Sequence, residues 1–173
     1  MIKQKNKKEI LWFNKMNREE YQYYKHKLPR EFYILENRSF SYEESIFLLI
    51  KKGLFNRTKI IGYAIIYDSS GLDEKDKKSI ALINRIDSRI MLEQEWVVIS
   101  DFMILRFQRR RGIGREFFRR IENDYYSNRD FILIADGDGK FFWRRLGFKY
   151  IDKLSKTMGK KFYITEQESV TNL

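Results

Sequence analysis

The sequence predicts an α/β (α+β) domain, and three observations carry that reading. Short apolar segments rich in β-branched and aromatic residues, such as 59–67 (KIIGYAIIY) and 131–135 (FILIA), have strand composition. They stand singly between segments of helical periodicity, and the last two follow one another as a hairpin-like pair, which excludes a bundle or a sandwich. The 173 residues are 43% hydrophobic and 16% aromatic, with one proline and no linker, enough for one domain with a substantial core.

Residues 9–14 read as a first strand. Asn17 followed by Glu20 has capping-box spacing, and Tyr21, Tyr24 and Leu28 form a weak helical face that stops at Pro29. Ser41 with Glu44 repeats that spacing. Behind it Tyr42, Ile46, Phe47, Leu49 and Ile50 recur at helical intervals, and Lys51-Lys52-Gly53 suits a helix end, so a helix is expected over 41–52. Residues 59–67 are a strand, Ser69-Ser70-Gly71 turns the chain, and Asp73–Lys78 reads as an exposed charged loop. Residues 79–92 fit a strand pair or a short helix equally.

From Trp96 the pattern sharpens. Residues 96–105 (WVVISDFMIL) are nearly all apolar, as in a strand covered on both faces. A helix from about Gly112 to Tyr126 follows, with Ile113, Phe117, Phe118, Ile121 and Tyr125 on one face. Then come the strand 131–135, a Gly-Asp turn, a short aromatic helix from Phe141 to Leu146, and strands near 148–152 and 160–165. Residues 1–173 make one domain, with 1–8 expected as a flexible basic N-terminus and 167–173 as a flexible tail.

Lys and Arg number 35 against 24 Asp and Glu, a net charge of +11 that points to an anionic partner: nucleic acid, a membrane surface or a phosphorylated small molecule. With no cysteine there is no disulfide framework, thiol nucleophile or Cys-ligated zinc, and with His26 the only histidine, His–His metal sites are excluded too. No metal is expected. Asp136-Gly-Asp138-Gly139 begins like a calcium loop, but Lys140 and Gly147 occupy its fifth and twelfth positions. The Lys-rich start has no apolar region behind it, and no stretch approaches the ~18 apolar residues of a membrane span. A cytoplasmic protein with no membrane partner is expected.

The chemistry concentrates in Ile104 to Arg115, where an apolar strand enters a basic loop and the loop enters a helix holding Gly112 and Gly114 in its first turn. Helix N-termini present backbone N–H groups and the positive end of the macrodipole, and glycines admit a ligand close to that backbone. Arg109, Arg110 and Arg111 add charge-assisted bonds, making an anion site suited to a pyrophosphate. The bland reading, a solvated basic face, is kept for Arg115, Arg119 and Arg120.

Arg109-Arg110-Arg111-Gly112-Ile113-Gly114 resembles the acyl-CoA-binding motif Gln/Arg-x-x-Gly-x-Gly/Ala of the GNAT superfamily of N-acetyltransferases. Phe102-Met103-Ile104 before it is similar to the family's fourth strand. Asp136 to Phe148 is similar to its later motif Asn-x-x-Ala-x-x-x-Tyr-x-x-x-Gly-Phe. The resemblance covers 59–165 in element order and 96–150 in specific residues. It implies a mixed, mainly antiparallel sheet of six to seven strands flanked by helices and splayed between strands four and five.

It further implies acetyl-CoA as acyl donor. Backbone amides from Arg109 to Gly114, with Arg115, would hold the pyrophosphate, and Met103, Ile104 and Leu105 would pair with the pantetheine arm. Asp136 and Trp143 take the positions of the later motif's Asn and Tyr. A neutral primary amine would attack the thioester, so a base must deprotonate it. Asp101, the acid that interrupts the apolar strand, is the candidate, with Glu95 and Glu93 as weaker alternatives. Indole N–H is a donor and no acid at neutral pH, so Trp143 cannot replace the family's tyrosine in protonating the thiolate. Tyr150, Tyr163, a water or no acid at all remains open.

The acceptor is expected to be a small-molecule or peptide amine, recognised largely by residues 15–57. An RNA-linked acceptor such as aminoacyl-tRNA, and a homodimer, stay open. Two other readings are a non-enzymatic nucleic-acid binder using its arginine helix on phosphates, and a CoA-binding relative with reduced catalysis.

Overall fold

A computed structural model describes residues 11–36, 44–52, 58–135, 139–150 and 161–164. In chain order the elements are β1 (Leu11–Met16), α1 (Arg18–Lys25), a 3-10 turn (Arg30–Phe32), α2 (Tyr33–Glu36), β2 (Glu44–Lys52) and β3 (Thr58–Asp68). Next are α3 (Glu74–Ile83), α4 (Ser88–Glu93), β4 (Val97–Ile104), a 3-10 turn (Arg106–Gln108) and α5 (Ile113–Tyr125). The chain continues through β5 (Phe131–Ile134), α6 (Gly139–Arg145), β6 (Lys149–Tyr150) and β7 (Lys161–Ile164).

Strands β1 to β4 pair antiparallel in sequence order, and β5 joins β4 in parallel. Beyond β5 lies β7, and β6 lies along β7. Both of these pairings are parallel, so the final strands are not the expected hairpin. Residues 151–160 between them exceed the length of a tight hairpin turn.

The expected helix over 41–52 is instead strand β2, paired with β1 on one side and β3 on the other. Ile46, Phe47, Leu48, Leu49 and Ile50 are all buried, and a five-residue apolar run buried on both faces suits an interior strand rather than one side of a helix. Ser41 and Tyr42 lie outside the described residues. The first strand covers Leu11–Met16 among the described residues and so runs two residues past its expected end at Asn14, while residues 9 and 10 lie outside them. The capping box of α1 is formed: the Glu20 N–H donates to Asn17 Oδ1 at 2.8 Å, and the Asn17 N–H to Glu20 Oε2 at 3.0 Å.

Asp73–Lys78, expected as a loop, opens helix α3. The Asp73 carboxylate accepts from the Asp76 N–H at 2.8 Å, and Glu74 and Asp76 sit at the positive end of the macrodipole. Further along, Ile80 and Ala81 bury against the sheet, which resolves the ambiguity of 79–92 as two helices, α3 and α4. The short aromatic helix, expected over Phe141–Leu146, covers Gly139–Arg145 among the described residues.

Helices cover both faces of the sheet. On one, Phe102 of β4 lies 5.4 Å from Phe117 of α5 and 5.3 Å from Trp143 of α6, centroid to centroid. On the other, Phe32 packs edge-on to Tyr63 of β3 at 4.8 Å, and α3 and α4 cover Tyr67, Val98 and Ile132. Phe117, Phe118 and Ile121 are fully sheltered, and burying each phenylalanine contributes about 1.5–3 kcal/mol. This clamps α5 to β4 and sets the position of the loop between them.

Candidate functional site

Strand β4 hands the chain to α5 through residues 105–112. The Leu105 N–H donates to the Ile61 carbonyl at 2.9 Å, holding the strand's exit, and Gln108 is buried beneath the loop. Arg109 turns its side chain back, its Nε donating to the Ile104 carbonyl at 2.8 Å. Arg110 adopts φ +64° and Gly112 φ +77°, both left-handed. Successive N–H groups in such turns converge into an anion-binding concavity. Gly112 is the N-cap of α5 and offers no side-chain cap. The first intrahelical bond runs from the Glu116 N–H to the Gly112 carbonyl, so the N–H groups of Ile113, Gly114 and Arg115 precede it.

The two glycines serve different ends. A Cβ on Gly112 would meet nothing within 4 Å, and its requirement is conformational. A Cβ on Gly114 would stand 3.3 Å from Phe142 Cε2 and 3.4 Å from Ile104 Cγ1, so there the missing side chain permits close approach of helix, strand and α6. Arg110, Arg111 and Arg115 are exposed around this helix start.

The sheet opens beside the loop. Strand β4 pairs with β5 only over Val97–Ile99 against Phe131–Leu133, although β4 continues to Ile104. Its last residues stay paired to β3, with Met103 opposite Tyr63 and Ile104 opposite Gly62. The edge of β4 away from β3 is therefore not paired to β5 beyond Ile99.

At that parting point β4 bulges. Ile99 faces Ile66 and Asp101 faces Ile65, leaving Ser100 as the extra residue. The bulge reverses the alternation. Regular pleating would set Asp101 on the face of Val97 and Ile99, but the register sets it with Val98, Met103, Tyr63 and Ile65. There the Tyr63 hydroxyl donates to Asp101 Oδ2 at 2.5 Å, with Tyr63 fully buried and Asp101 half-buried.

The sequence-named residues divide accordingly. Asp101, Met103, Ile104, Leu105 and Arg109–Arg115 form one continuous stretch along the open end of β4 and the start of α5. Glu93 ends α4 and Glu95 precedes β4, at the other end of that strand. There Glu95 accepts from the Gly71 N–H at 3.2 Å and lies 3.9 Å from Arg129. Trp143 is buried among Phe102, Phe118, Phe142 and Phe148, in the core. Tyr150 and Tyr163 pair in register on β6 and β7. Asp136 lies outside the described residues, as do the two terminal segments. Tyr63 was not singled out from sequence, since a tyrosine in a β-branched run has the pattern of an ordinary core residue.

No described helix is long and apolar enough to cross a membrane. No protein-family model matches the chain, and no curated protein matches it. Among solved structures it is similar to NAA60 of Arabidopsis thaliana in complex with acetyl-CoA, at 15% identity and a TM-score of 0.51, over 82% of this chain and 86% of that one. An aminoglycoside acetyltransferase from an uncultured soil metagenomic sample, in complex with sisomicin, matches at 15% identity and a TM-score of 0.48, over 88% and 94% of the two chains. Ribosomal-protein-alanine N-acetyltransferase from Brucella melitensis biovar Abortus 2308 matches at 12% identity and a TM-score of 0.49, over 87% and 99%. The helix-covered mixed sheet, with its parallel β4–β5 pair parting above the glycine loop, and the likeness to NAA60 together establish that this chain has the fold of the GNAT N-acetyltransferases.

Proposed function

We propose that the chain is an acetyl-CoA-dependent N-acetyltransferase that acylates a primary amine. The observation that carries this reading is the continuity of one segment. The half of β4 that has left β5 runs directly into a glycine loop and the N-terminus of a thirteen-residue helix. An extended arm laid along the first part and a pyrophosphate at the second would be bound by adjoining backbone. The residues present fit such a ligand: the left-handed Gly112 borders open space, and the N–H groups of Ile113, Gly114 and Arg115 precede the first helical bond.

In this reading the amides from Arg109 to Gly114 hold the pyrophosphate, with Arg110, Arg111 and Arg115 neutralising charge around it. The Arg109 guanidinium braces the loop through Ile104. Met103 to Leu105 align the pantetheine arm. Bound acetyl-CoA would supply a thioester whose C–S bond breaks as the amine nitrogen bonds to the carbonyl carbon, CoA departing as a thiolate that water protonates. Asp101, at the bulge where the strands part, takes the amine's proton. Trp143, packed in the core, supplies no acid. The acceptor is a small-molecule or peptide amine, and an RNA-linked amine is the form that the exposed Arg115 and Arg119 would suit.

Titrating acetyl-CoA while following thermal unfolding tests the proposal. A concentration-dependent rise in Tm is expected, by linkage of binding to folding, together with thiol release when a panel of primary amines is added. No response to acetyl-CoA, alongside steeply salt-dependent RNA binding, would replace the enzyme with a nucleic-acid binder.

A further inference from the structure

We propose that Tyr63 is the positioning residue of Asp101, holding its carboxylate charged and in one orientation at the point where β4 leaves β5. The inference rests on the reading of Asp101 as the proton acceptor and adds a residue from a different strand. Three observations converge on it.

The Tyr63 hydroxyl donates to Asp101 Oδ2 at 2.5 Å, within the short range of bonds to an ionised oxygen. The Tyr63 ring is fully buried and meets Phe32 edge-on at 4.8 Å, so packing rather than solvent sets where its hydroxyl points. The Ser100 bulge is what brings Asp101 to this face, since regular pleating would turn the carboxylate away from Tyr63.

A carboxylate has about four lone-pair sites. The Tyr63 donor on Oδ2 orients the group. Donation to the charged form also favours ionisation. On Asp101's face stand Tyr63, Ile65 and Tyr67 from β3, Glu44 from β2, Val98 and Met103 from β4 and Phe32 from the segment between β1 and β2. The other titratable groups among them bond to each other, since the Tyr67 hydroxyl donates to the Glu44 carboxylate, whereas the Tyr63 hydroxyl donates to Asp101.

Tyr63→Phe removes the hydroxyl and keeps the ring against Phe32. The readout is the carboxyl carbon of Asp101, followed by NMR titration of the full chain, which needs no acceptor. In Tyr63→Phe the Asp101 midpoint should move to higher pH. Thiol release from acetyl-CoA with an amine that the unsubstituted protein acylates should fall by about tenfold or more, on the scale of a lost hydrogen bond to a charged group. An unmoved midpoint overturns the proposal whatever the activity does, and so does a moved midpoint with unchanged turnover.

Should Tyr63→Phe fail to fold, the same bond is read from its other end. Asp101→Asn must shift the Tyr63 ring-carbon resonance next to the hydroxyl, and no shift overturns the proposal. Turnover that survives Asp101→Asn defeats the base assignment instead, so the two failures are distinguishable.

Discussion

The Arg109 side chain is bonded to the strand it has just left, its Nε donating to the Ile104 carbonyl at 2.8 Å. A residue that the motif would assign to phosphate through its charge thus also ties the glycine loop to the end of β4. Arg109→Ala should therefore weaken acetyl-CoA binding more than Arg119→Ala, which removes an exposed charge on α5. Losing one such bond is worth about 1 kcal/mol, or roughly fivefold in affinity, measurable by calorimetric titration. Equal effects of the two substitutions would return Arg109 to a purely electrostatic role.

Asp101→Asn should lower acetyl transfer by about 10²–10⁴-fold, the range for a lost general base, while acetyl-CoA affinity stays within about twofold. Thiol release and thermal-shift titration on the same preparation separate the two quantities. Because the amide keeps the shape of the carboxyl, a drop in both would indicate disturbance of β4 rather than loss of a base.

The two glycines of the loop should fail differently. Gly114→Val crowds Phe142 and Ile104, already 3.3 and 3.4 Å from a bare Cβ, and should abolish the rise in Tm caused by acetyl-CoA. Gly112→Ala meets open space, but at φ +77° it costs about 1–2 kcal/mol of backbone strain. The expected sign is a lower Tm with a weakened but measurable response to acetyl-CoA.

Gly62→Ala probes the strand pair itself. Its Cβ would fall 2.6 Å from Ile104 Cδ1 and 2.9 Å from the Met103 carbonyl oxygen, and the second contact is backbone that cannot rotate away. A destabilisation of about 1–3 kcal/mol is expected in denaturant unfolding. The β3–β4 register that places Asp101 opposite Ile65 should loosen with it.

Tyr126 gives the protein an alkaline limit. Burial pushes its phenol above the ordinary value of 10.0, and the buried hydroxyl meets no hydrogen-bond partner among the described residues. The folded chain therefore keeps this proton at pH values where the unfolded chain has lost it. The contribution is complete below the unfolded value and disappears as pH rises from about 10 through the raised one. Tyr126→Phe should flatten that part of the stability–pH curve, and a slope unchanged between pH 9 and 11 would assign the limit to another group.

The stretch from Trp96 to Tyr126 was the most legible, because two local signals coincide there. A continuous apolar run of strand length is followed by glycines at the start of an amphipathic helix. Residues 44–52 were misread because Ile46, Phe47, Leu49 and Ile50 satisfy helical spacing as well as a buried run. Only the neighbours β1 and β3 decide between those periods. Asp73–Lys78 looked like a loop because its charges hide an N-cap, and the apolar anchors Ile80 and Ala81 come only in the next turn.

What the sequence by itself determined was the order of strands and helices from β4 onward, the glycine-marked helix start, and Asp101 as an acid inside an apolar strand. Those features are local, written in runs and spacings of a dozen residues or fewer. Tertiary structure alone decided which face of the sheet Asp101 occupies and what it meets there. Tyr63 lies 38 residues away in sequence, and one bulged residue, Ser100, determines whether the two meet. A one-residue change of register turns a side chain to the opposite face, and no composition or periodicity within a single strand records its partner's register.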